Sequence, residues 1–381
     1  MVRSRHDSAA LIVSPSQVAA FRLSRHYLLR RGPRSALASV VRDVCGVQAQ
    51  VMSAARIALW ARIAGLADED IDRALEADRS LVRTWAVRGT VHILASEDLP
   101  LYIAVIKETI HRTFEAWLVR QGLHVSQIRA LNEAIVEALS RGPCTRDEIV
   151  RHAGKSFPVK IRKWLASGWG GLLRPVCFEG RVCFGPSRGR EVTFVRREQW
   201  LPDWRDIPYG EAGADLLRRY LRAYGPASLS DFSAWSGVPA KAATTFHDRL
   251  SSEVASVSID GRMGLLLRED LDALRRARLD TPGVRLLPNF DGYLLGHRSK
   301  EHLVDSALYK QVYRKAGWIS PVVLVDGRVA GVWSHARKGR TLQVRIDPFR
   351  RMSADVRRLV TDEARDLGRF LETEDVRVTV T

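Results

Sequence analysis

One order of predicted elements recurs three times along this chain, and it constrains the fold more than any other feature. Each copy shows a helix, a turn, two further helices and then two strands joined by a tight turn. That order is typical of a winged helix, a helix-turn-helix unit extended by a β-hairpin. Two copies share similar helix starts, Gly142-Pro143-Cys144-Thr145 and Gly225-Pro226-Ala227-Ser228, so the sequence indicates a tandem array.

The first unit is predicted over residues 14–95. Ser14 is a suitable helix cap with Pro15 at the first helical position, and Gly32-Pro33 separates this helix from the next. The hairpin that closes the unit is predicted to turn at Gly89.

Linking helices and the second unit are predicted over residues 96–200. Thr145 and Glu148 form a capping box at a helix start. The candidate recognition helix covers residues 159–173, and the hairpin is predicted over residues 176–184, with a glycine in its turn.

The third unit is predicted over residues 211–270, with Asp260-Gly261 as the turn of its hairpin. Residues 281–381 differ, since they are rich in predicted strands, carry a basic turn at 336–340 and contain a closing helix at 353–370. We therefore predict an α+β fold of three tandem winged-helix units, followed by a C-terminal strand-rich segment with a closing helix.

The charge of the chain points to phosphate as its partner. There are 60 Lys and Arg against 43 Asp and Glu, a net charge of +17, and only nine of the cations are lysine. No apolar run reaches the roughly 18 residues that a membrane span needs, and the apolar stretch 9–13 after Arg3 and Arg5 is too short for a signal peptide. We expect a cytoplasmic, nucleoid-associated protein that binds nucleic acid and no membrane. A solvated basic surface, or the arginine bias of a GC-rich genome, would give the same net charge.

No cofactor and no metal site are predicted. The cysteines are too few and too scattered for a disulfide framework, and we expect four reduced, structural thiols: Cys45, Cys144, Cys177 and Cys183. Cys177 and Cys183 are expected to face each other across the second hairpin, but no Cys or His lies close enough in sequence to complete a zinc site. The acidic clusters lie beside ordinary helix ends, which leaves metal-dependent nuclease chemistry without a carboxylate group to support it.

Two glutamines are the strongest candidates for chemistry. The sequence lacks the signatures of phosphate-binding loops, zinc proteases, dinucleotide-binding folds and serine hydrolases. Gln48 and Gln50 lie at the predicted turn between the second and third helices of the first unit, where a winged helix approaches DNA. By residue type alone, this is either a catalytic site or a polar turn whose amides cap helix ends.

Several segments resemble the signature sequences of one family. In order along nearly the whole chain they are Val47-Gln48-Ala49-Gln50 and residues 83–94, 220–238 and 286–298. The family is that of the bacterial tandem winged-helix DNA glycosylases of the AlkZ/YcaQ type, which divides by its catalytic motif, Gln-x-Gln or Gln-x-Asp. This chain is similar to the Gln-x-Gln branch, which is associated with self-resistance to DNA-alkylating natural products and with the unhooking of interstrand crosslinks. The resemblance implies that Gln48 and Gln50 are the catalytic residues.

A pair of amides suits a substrate that is already activated. A carboxamide is no general base at neutral pH, but it donates and accepts hydrogen bonds. A purine alkylated at N7 or N3 carries a positive charge that weakens its glycosidic bond, and the transition state resembles an oxocarbenium ion. We expect Gln48 and Gln50 to hold a water and to stabilise the developing cation, with Gln50 the nearer to C1′. Because arginine would repel the cationic lesion, we expect the site to be free of it, as residues 43–55 are.

Two hairpins are predicted to contact DNA through six residues: Arg88, Thr90 and His92 in the first unit, and Arg337, Lys338 and Arg340 in the C-terminal basic turn. The first group is expected to bind phosphate, although His92 also suits a structural role beside Trp85. The second group surrounds a glycine and is shaped to enter a groove or to follow the backbone; a solvated hairpin tip is the alternative.

Asp291 and Tyr293 lie in the last of the family segments. They either contact and orient the catalytic glutamines, or hold the packing between domains through a salt bridge of Asp291, which has Arg298 nearby. We favour the structural role. The tryptophans are predicted to belong to the core: Trp60, Trp85, Trp164, Trp169 and Trp235.

Two other functions remain open. A winged-helix transcriptional regulator without catalysis would need sequence-specific readout and usually a dimer, and an architectural DNA binder would need neither. Three dissimilar units fit a clamp around double-stranded DNA better than a half-site reader. We therefore predict a monomeric, monofunctional DNA glycosylase acting on alkylated purines in duplex DNA. No lyase activity is expected, because no lysine lies near the glutamines in sequence.

Overall fold

The structure, a computed structural model, describes residues 11–168, 171–280 and 282–381. These residues mix helices and strands, in agreement with the predicted α+β class. The helices are α1 (Pro15–Arg25), α2 (Leu37–Asp43), α3 (Met52–Trp60), α4 (Asp68–Asp72), α5 (Leu99–Ile106), α6 (Arg112–Arg120), α7 (Val125–Ala138), α8 (Arg146–Ala153), α9 (Val159–Ala166), α10 (Arg174–Phe178), α11 (Arg197–Trp200), α12 (Tyr209–Tyr224), α13 (Leu229–Ser236), α14 (Ala240–Arg249), α15 (Leu271–Arg276), α16 (Gly292–Leu295), α17 (Tyr309–Val312) and α18 (Ala354–Phe370).

The strands form three three-stranded sheets and one five-stranded sheet. They are β1 (Leu11–Val13), β2 (Val47–Gln48), β3 (Leu81–Trp85), β4 (Val91–Ala95), β5 (Cys144–Thr145), β6 (Val182–Phe184), β7 (Thr193–Arg196), β8 (Val254–Ile259), β9 (Arg262–Leu267), β10 (Val284–Leu287), β11 (Val322–Val325), β12 (Arg328–Lys338), β13 (Thr341–Pro348) and β14 (Asp375–Val380).

Three segments of the chain share one order of elements. The first runs α2–β2–α3–α4–β3–β4, and the second runs α7–β5–α8–α9–β6–β7, with α10 inserted before β6. The third runs α12–α13–α14–β8–β9, and a single bridge between Ala227 and Leu265 takes the place of its short first strand. Each small sheet holds one antiparallel hairpin and one added strand, in the orders β2-β4-β3, β5-β7-β6 and β1-β8-β9. The boundaries 14–95, 96–200, 211–270 and 281–381 stay predictions.

The predicted helix starts and the third hairpin are confirmed. Ser14, Thr145 and Ser228 each accept a hydrogen bond from the third backbone N–H of their helix, within complete capping boxes. The turn between β8 and β9 is Asp260-Gly261, and both residues have positive φ, 45° and 78°, as the tight hairpin turn requires.

The second hairpin differs from the prediction. Residues 176–178 lie in helix α10 and not in a strand; Pro175 occupies its first turn, where proline is well tolerated. Strand β6 pairs with β7, more than ten residues further along, so the cross-strand partner of Cys183 is Val195 and not Cys177. All four cysteines are free thiols, as predicted.

The candidate recognition helix is shorter than predicted. Helix α9 ends at Ala166, not at residue 173, because the following sequence contains three glycines within four residues and glycine disfavours helix. Trp60, Trp85 and Trp235 are buried as expected, and Trp164 is half-buried. Trp169, like Arg3 and Arg5, lies outside the described residues.

The C-terminal segment is built on the five-stranded sheet, in the order β10-β11-β12-β13-β14. Its strands are antiparallel except for the pair β13 and β14. The closing helix α18 packs against the sheet, and the basic turn is the connection between β12 and β13. In the parts of the chain that the structure describes, no helix is both long and apolar enough to span a bilayer.

Candidate active site

The two glutamines follow a sharp reversal of the chain. After α2, Cys45 and Gly46 adopt positive φ of 60° and 88°, which turns the backbone into strand β2. A Cβ at position 46 would lie 2.5 Å from Leu94 Cδ2 and 3.2 Å from the Ile93 carbonyl oxygen, so only glycine fits this approach. The reversal leaves Gln48 in an edge strand, paired with His92 of β4. Gln48 is therefore in a strand and not in the turn that the sequence predicted.

Side chains alternate along this extended segment. Val47 and Ala49 are buried, whereas Gln48 is half-buried and Gln50 is exposed. The pairing with β4 continues past β2, because the Ala49 N–H donates to the Val91 carbonyl at 2.7 Å. Alternate residues of extended backbone point to the same side, so both carboxamides lie on the outer face of the sheet while their apolar neighbours hold the strand to the core.

Both carboxamide oxygens accept hydrogen bonds from β4 and its turn. Arg88 Nη2 donates to Gln48 Oε1 at 3.0 Å, and the Val91 N–H donates to Gln50 Oε1 at 3.4 Å. Arg83 Nη2 donates to the Ala49 carbonyl at 3.2 Å. The expectation of an arginine-free site is therefore wrong: the local sequence lacks arginine, but the pairing of β2, β4 and β3 brings two arginines to the motif.

The residues predicted to bind phosphate at the first hairpin have contacts within the protein. Arg88 also donates through Nη1 to the Trp235 carbonyl, and Thr90 Oγ1 donates to the Val87 carbonyl at 3.0 Å. His92 is only 4% exposed, and its Nδ1 lies 3.0 Å from the Thr90 carbonyl oxygen. Burial, followed by the charge of Arg88, lowers the pKa of His92 to about 3, so its imidazole is neutral. The predicted phosphate contact of His92 is thus wrong, because the ring is inside the protein.

Lys300 is far from the glutamines in sequence, but its charge interacts with that of Arg88. Burial, with a further contribution from the charge of Arg88, lowers the pKa of Lys300 to about 8. Its ammonium donates to the His297 carbonyl, and His297 Nε2 lies 2.9 Å from the Tyr224 carbonyl oxygen. The Tyr224 hydroxyl in turn donates to the Val44 carbonyl at 3.2 Å. No local spacing predicts that Lys300 interacts with Arg88 or that Tyr224 contacts Val44, because the partners are far apart in sequence.

Asp291 forms a buried ion pair with Arg62. The two carboxylate oxygens accept from Arg62 Nη1 and Nη2, each at 2.7 Å, and each residue is 1% exposed. Arg62 Nη1 also donates to the Ala58 carbonyl at 2.8 Å, and Asp291 accepts from the Tyr293 N–H at 2.9 Å. The expected salt bridge is present, but the partner of Asp291 is Arg62, which follows α3, and not Arg298.

The predicted basic turn is exposed on the C-terminal sheet. Arg337 and Lys338 end strand β12, and Arg340 follows Gly339 in the turn. Arg337 Nε donates to the Gly339 carbonyl at 3.1 Å, which folds this side chain over the turn, and Arg340 forms an ion pair with Glu374. Among the residues the structure describes, no group of three or more His, Cys, Asp or Glu could hold a metal ion.

The chain belongs to the AlkZ-like DNA glycosylase family, whose model matches residues 41–370. It is therefore an enzyme that acts on N-glycosyl bonds, and a regulator without catalysis is not favoured. The interstrand DNA cross-link repair glycosylase of Streptomyces sahachiroi is 38% identical over 326 residues, which cover 83% of this chain and 86% of that protein. The structure of the S. sahachiroi DNA glycosylase AlkZ superposes with a TM-score of 0.85 at 32% identity, covering 97% of this chain and 100% of that one.

Proposed function

We propose that this protein hydrolyses the N-glycosidic bond of cationic N7- or N3-alkylated purines in duplex DNA, including bulky adducts and interstrand crosslinks. The observation that carries the proposal is the pair of glutamines on the outer face of one strand, each with its oxygen engaged by a fixed N–H donor. The extension to crosslinks is supported by the relative from S. sahachiroi, which is named as a cross-link repair glycosylase.

The chemistry follows from what a held carboxamide can do. Each amide oxygen has two lone pairs, so Gln48 and Gln50 can each accept a second hydrogen bond, from a water placed near C1′. As the C1′–N bond breaks, its electron pair neutralises the cationic base and the positive charge passes to the sugar. Attack of the water forms the C1′–O bond and releases a proton to solvent. The leaving base needs no protonation, so amides suffice for positioning and electrostatic stabilisation.

The rest of the fold would hold the duplex. We infer that the three segments with a common order of elements are winged helices that surround DNA as a clamp. The basic turn with Arg337, Lys338 and Arg340 lies on the backbone or in a groove. A monomer in the cytoplasm, associated with the nucleoid, is enough for this arrangement, and no cofactor takes part.

Gln48→Ala and Gln50→Ala should each slow base release from a duplex containing N7-methylguanine by about 10- to 100-fold, because a water held in the wrong position loses most of its reactivity. Strand breaks after alkaline treatment report the abasic sites that each enzyme leaves. Single turnovers with excess enzyme separate the chemical step from DNA binding. Full activity in both variants would show that the glutamines are not the catalytic pair.

Replacing Arg337 and Lys338 together by glutamine should weaken DNA binding and its dependence on salt. Each phosphate contact contributes about 0.9 to the slope of log K against log salt concentration, so we expect the slope to fall by about two. The rate of base release at saturating enzyme should stay unchanged. Arg365→Gln on the exposed side of α18 is the control with one charge removed. A loss of slope of about one in this control, the same per charge as in the hairpin variant, would show that the hairpin has no special part in the interface.

A further inference from the structure

Arg88 occupies an unusual position for a cation. It lies in the tight turn Val87–Gly89 with a φ of 55°, a left-handed conformation that a non-glycine residue keeps only where its surroundings hold it. Its side chain is half-buried, and two of its nitrogens have acceptors: Gln48 Oε1 and the Trp235 carbonyl oxygen.

Both acceptors are uncharged. Burial lowers the pKa of Arg88 below its ordinary value, and within the described part of the chain the side chain has no ion-pair partner. A cation withdrawn from water without a carboxylate costs free energy. Fold stability alone is therefore a poor explanation for its position, and the contact with Gln48 offers a better one.

The third unit anchors Arg88. The Trp235 carbonyl belongs to the last turn of α13, where carbonyls lack partners within the helix and form the negative end of its dipole. Gly237 follows with a φ of 81°, and a Cβ there would lie 3.4 Å from Arg88 Cα. The backbone after α13 thus packs directly on the turn that carries Arg88.

We propose that Arg88 is a positioning residue that fixes the orientation of the Gln48 carboxamide from the third unit. A guanidinium only donates hydrogen bonds, so Gln48 turns its oxygen toward Arg88 and its amide nitrogen the other way. Without Arg88 the carboxamide is free to rotate by 180°, which exchanges the donor and the acceptor that face the substrate. This role rests on the proposed function of Gln48 and replaces the phosphate contact predicted for Arg88.

The rate of base release is the direct readout. Arg88→Ala should lower the single-turnover rate at saturating enzyme by about 10- to 100-fold, with the Kd for the lesion duplex and the salt slope of binding unchanged. Arg88→Lys should also be slow, because an ammonium keeps the charge but lacks the planar fork that reaches two acceptors. In a Gln48→Ala background, Arg88→Ala should have no further effect on the rate.

Arg79 provides a matched control. It too has a left-handed φ, 52°, is half-buried and donates to a tryptophan carbonyl, that of Trp200 at 3.2 Å. Arg79→Ala therefore removes an equivalent contact between units without touching Gln48. We expect its rate of base release to match that of the unmodified protein, whatever its effect on the thermal midpoint.

A phosphate contact predicts the opposite pattern. Arg88→Ala would then reduce the salt slope by about one, Arg88→Lys would restore it, and the rate at saturation would not change. That pattern, or an equal loss of rate from Arg88→Ala with and without Gln48, overturns the proposal. If the unmodified protein releases no base, the proposed function fails by itself. The role of Arg88 is then tested by the NMR signals of the Gln48 side-chain amide, which should shift in Arg88→Ala and stay in place in Arg79→Ala; unshifted signals in Arg88→Ala overturn it.

Discussion

Replacing Arg62 by methionine should lower the free energy of unfolding by about 3–5 kcal/mol, the usual cost of removing one partner from a buried ion pair. The substitution leaves the Asp291 carboxylate, which is 1% exposed, without its cation and with the Tyr293 N–H as its remaining donor. Since Arg62 follows α3 and Asp291 precedes α16, far apart in the chain, the loss should also loosen the packing between these two parts of the structure. Urea titration of both proteins measures the difference.

The double variant Arg62→Met with Asp291→Leu separates charge from packing. With no charge left in the interior, it should recover much of the stability that Arg62→Met loses, because an apolar pair of similar volume often replaces a buried ion pair at little cost. Arg262→Met is the control, since its ion pair with Glu301 is largely exposed and contributes at most about 1 kcal/mol. A double variant as unstable as the sum of its single variants would contradict the expectation.

Acidification from pH 7.5 to 5.5 should destabilise the fold by about 5.5 kcal/mol through four histidines that are withdrawn from water. Burial lowers the pKa of His26 and His297 well below 6.5, that of His92 to about 3 and that of His302 to about 2. The unfolded chain therefore binds protons first as the pH falls through about 6.5, while the folded protein stays neutral at these positions. The contribution of these neutral histidines to the free energy of unfolding is fully present above that range. It is lost below that range, by about 1.4 kcal/mol per histidine at pH 5.5.

His26→Gln tests the assignment. His26 lies edge-on to the rings of Tyr224 and Tyr293. A side chain that does not titrate at this position should remove about a quarter of the acid sensitivity, whatever it does to stability at pH 7.5. His152→Gln, on the exposed surface of α8, should leave the pH dependence unchanged. A thermal midpoint that is flat between pH 7.5 and 5.5 would refute the expectation.

Local signals predicted the elements that depend on local chemistry. Capping boxes at Thr145 and Ser228 and the Asp260-Gly261 turn fix backbone within four residues, and they are where the sequence placed them. The prediction of the second hairpin was wrong because the strand that pairs with β6 is Thr193–Arg196, which follows a long connection. Strand β1 pairs in parallel with β8, more than 200 residues away, and no periodicity reports such a pairing.

The candidate site likewise combines residues that the sequence identifies with contacts that depend on long-range pairing. Gln48 and Gln50 stand out by residue type and by their similarity to a known motif, so the sequence identifies them. Their contacts do not stand out. Arg83 reaches the Ala49 carbonyl, and Arg88, which the sequence predicts to bind phosphate, reaches Gln48 only through the register of β2, β4 and β3. Arg62, which is paired with Asp291 across 229 positions, has no local feature that distinguishes it from the other arginines.

The contact between Arg88 and the Trp235 carbonyl has a consequence for how such an enzyme can arise and be divided. The glutamines are encoded within the first unit, but the contact that holds Arg88 is encoded some 150 codons downstream. A first unit that is duplicated, or transplanted by recombination into another array, therefore inherits the motif without its anchor. If Arg88 positions Gln48 as proposed, catalytic competence is inherited with the assembled set of units, and a gene fragment that lacks the anchor has little activity on which selection could act.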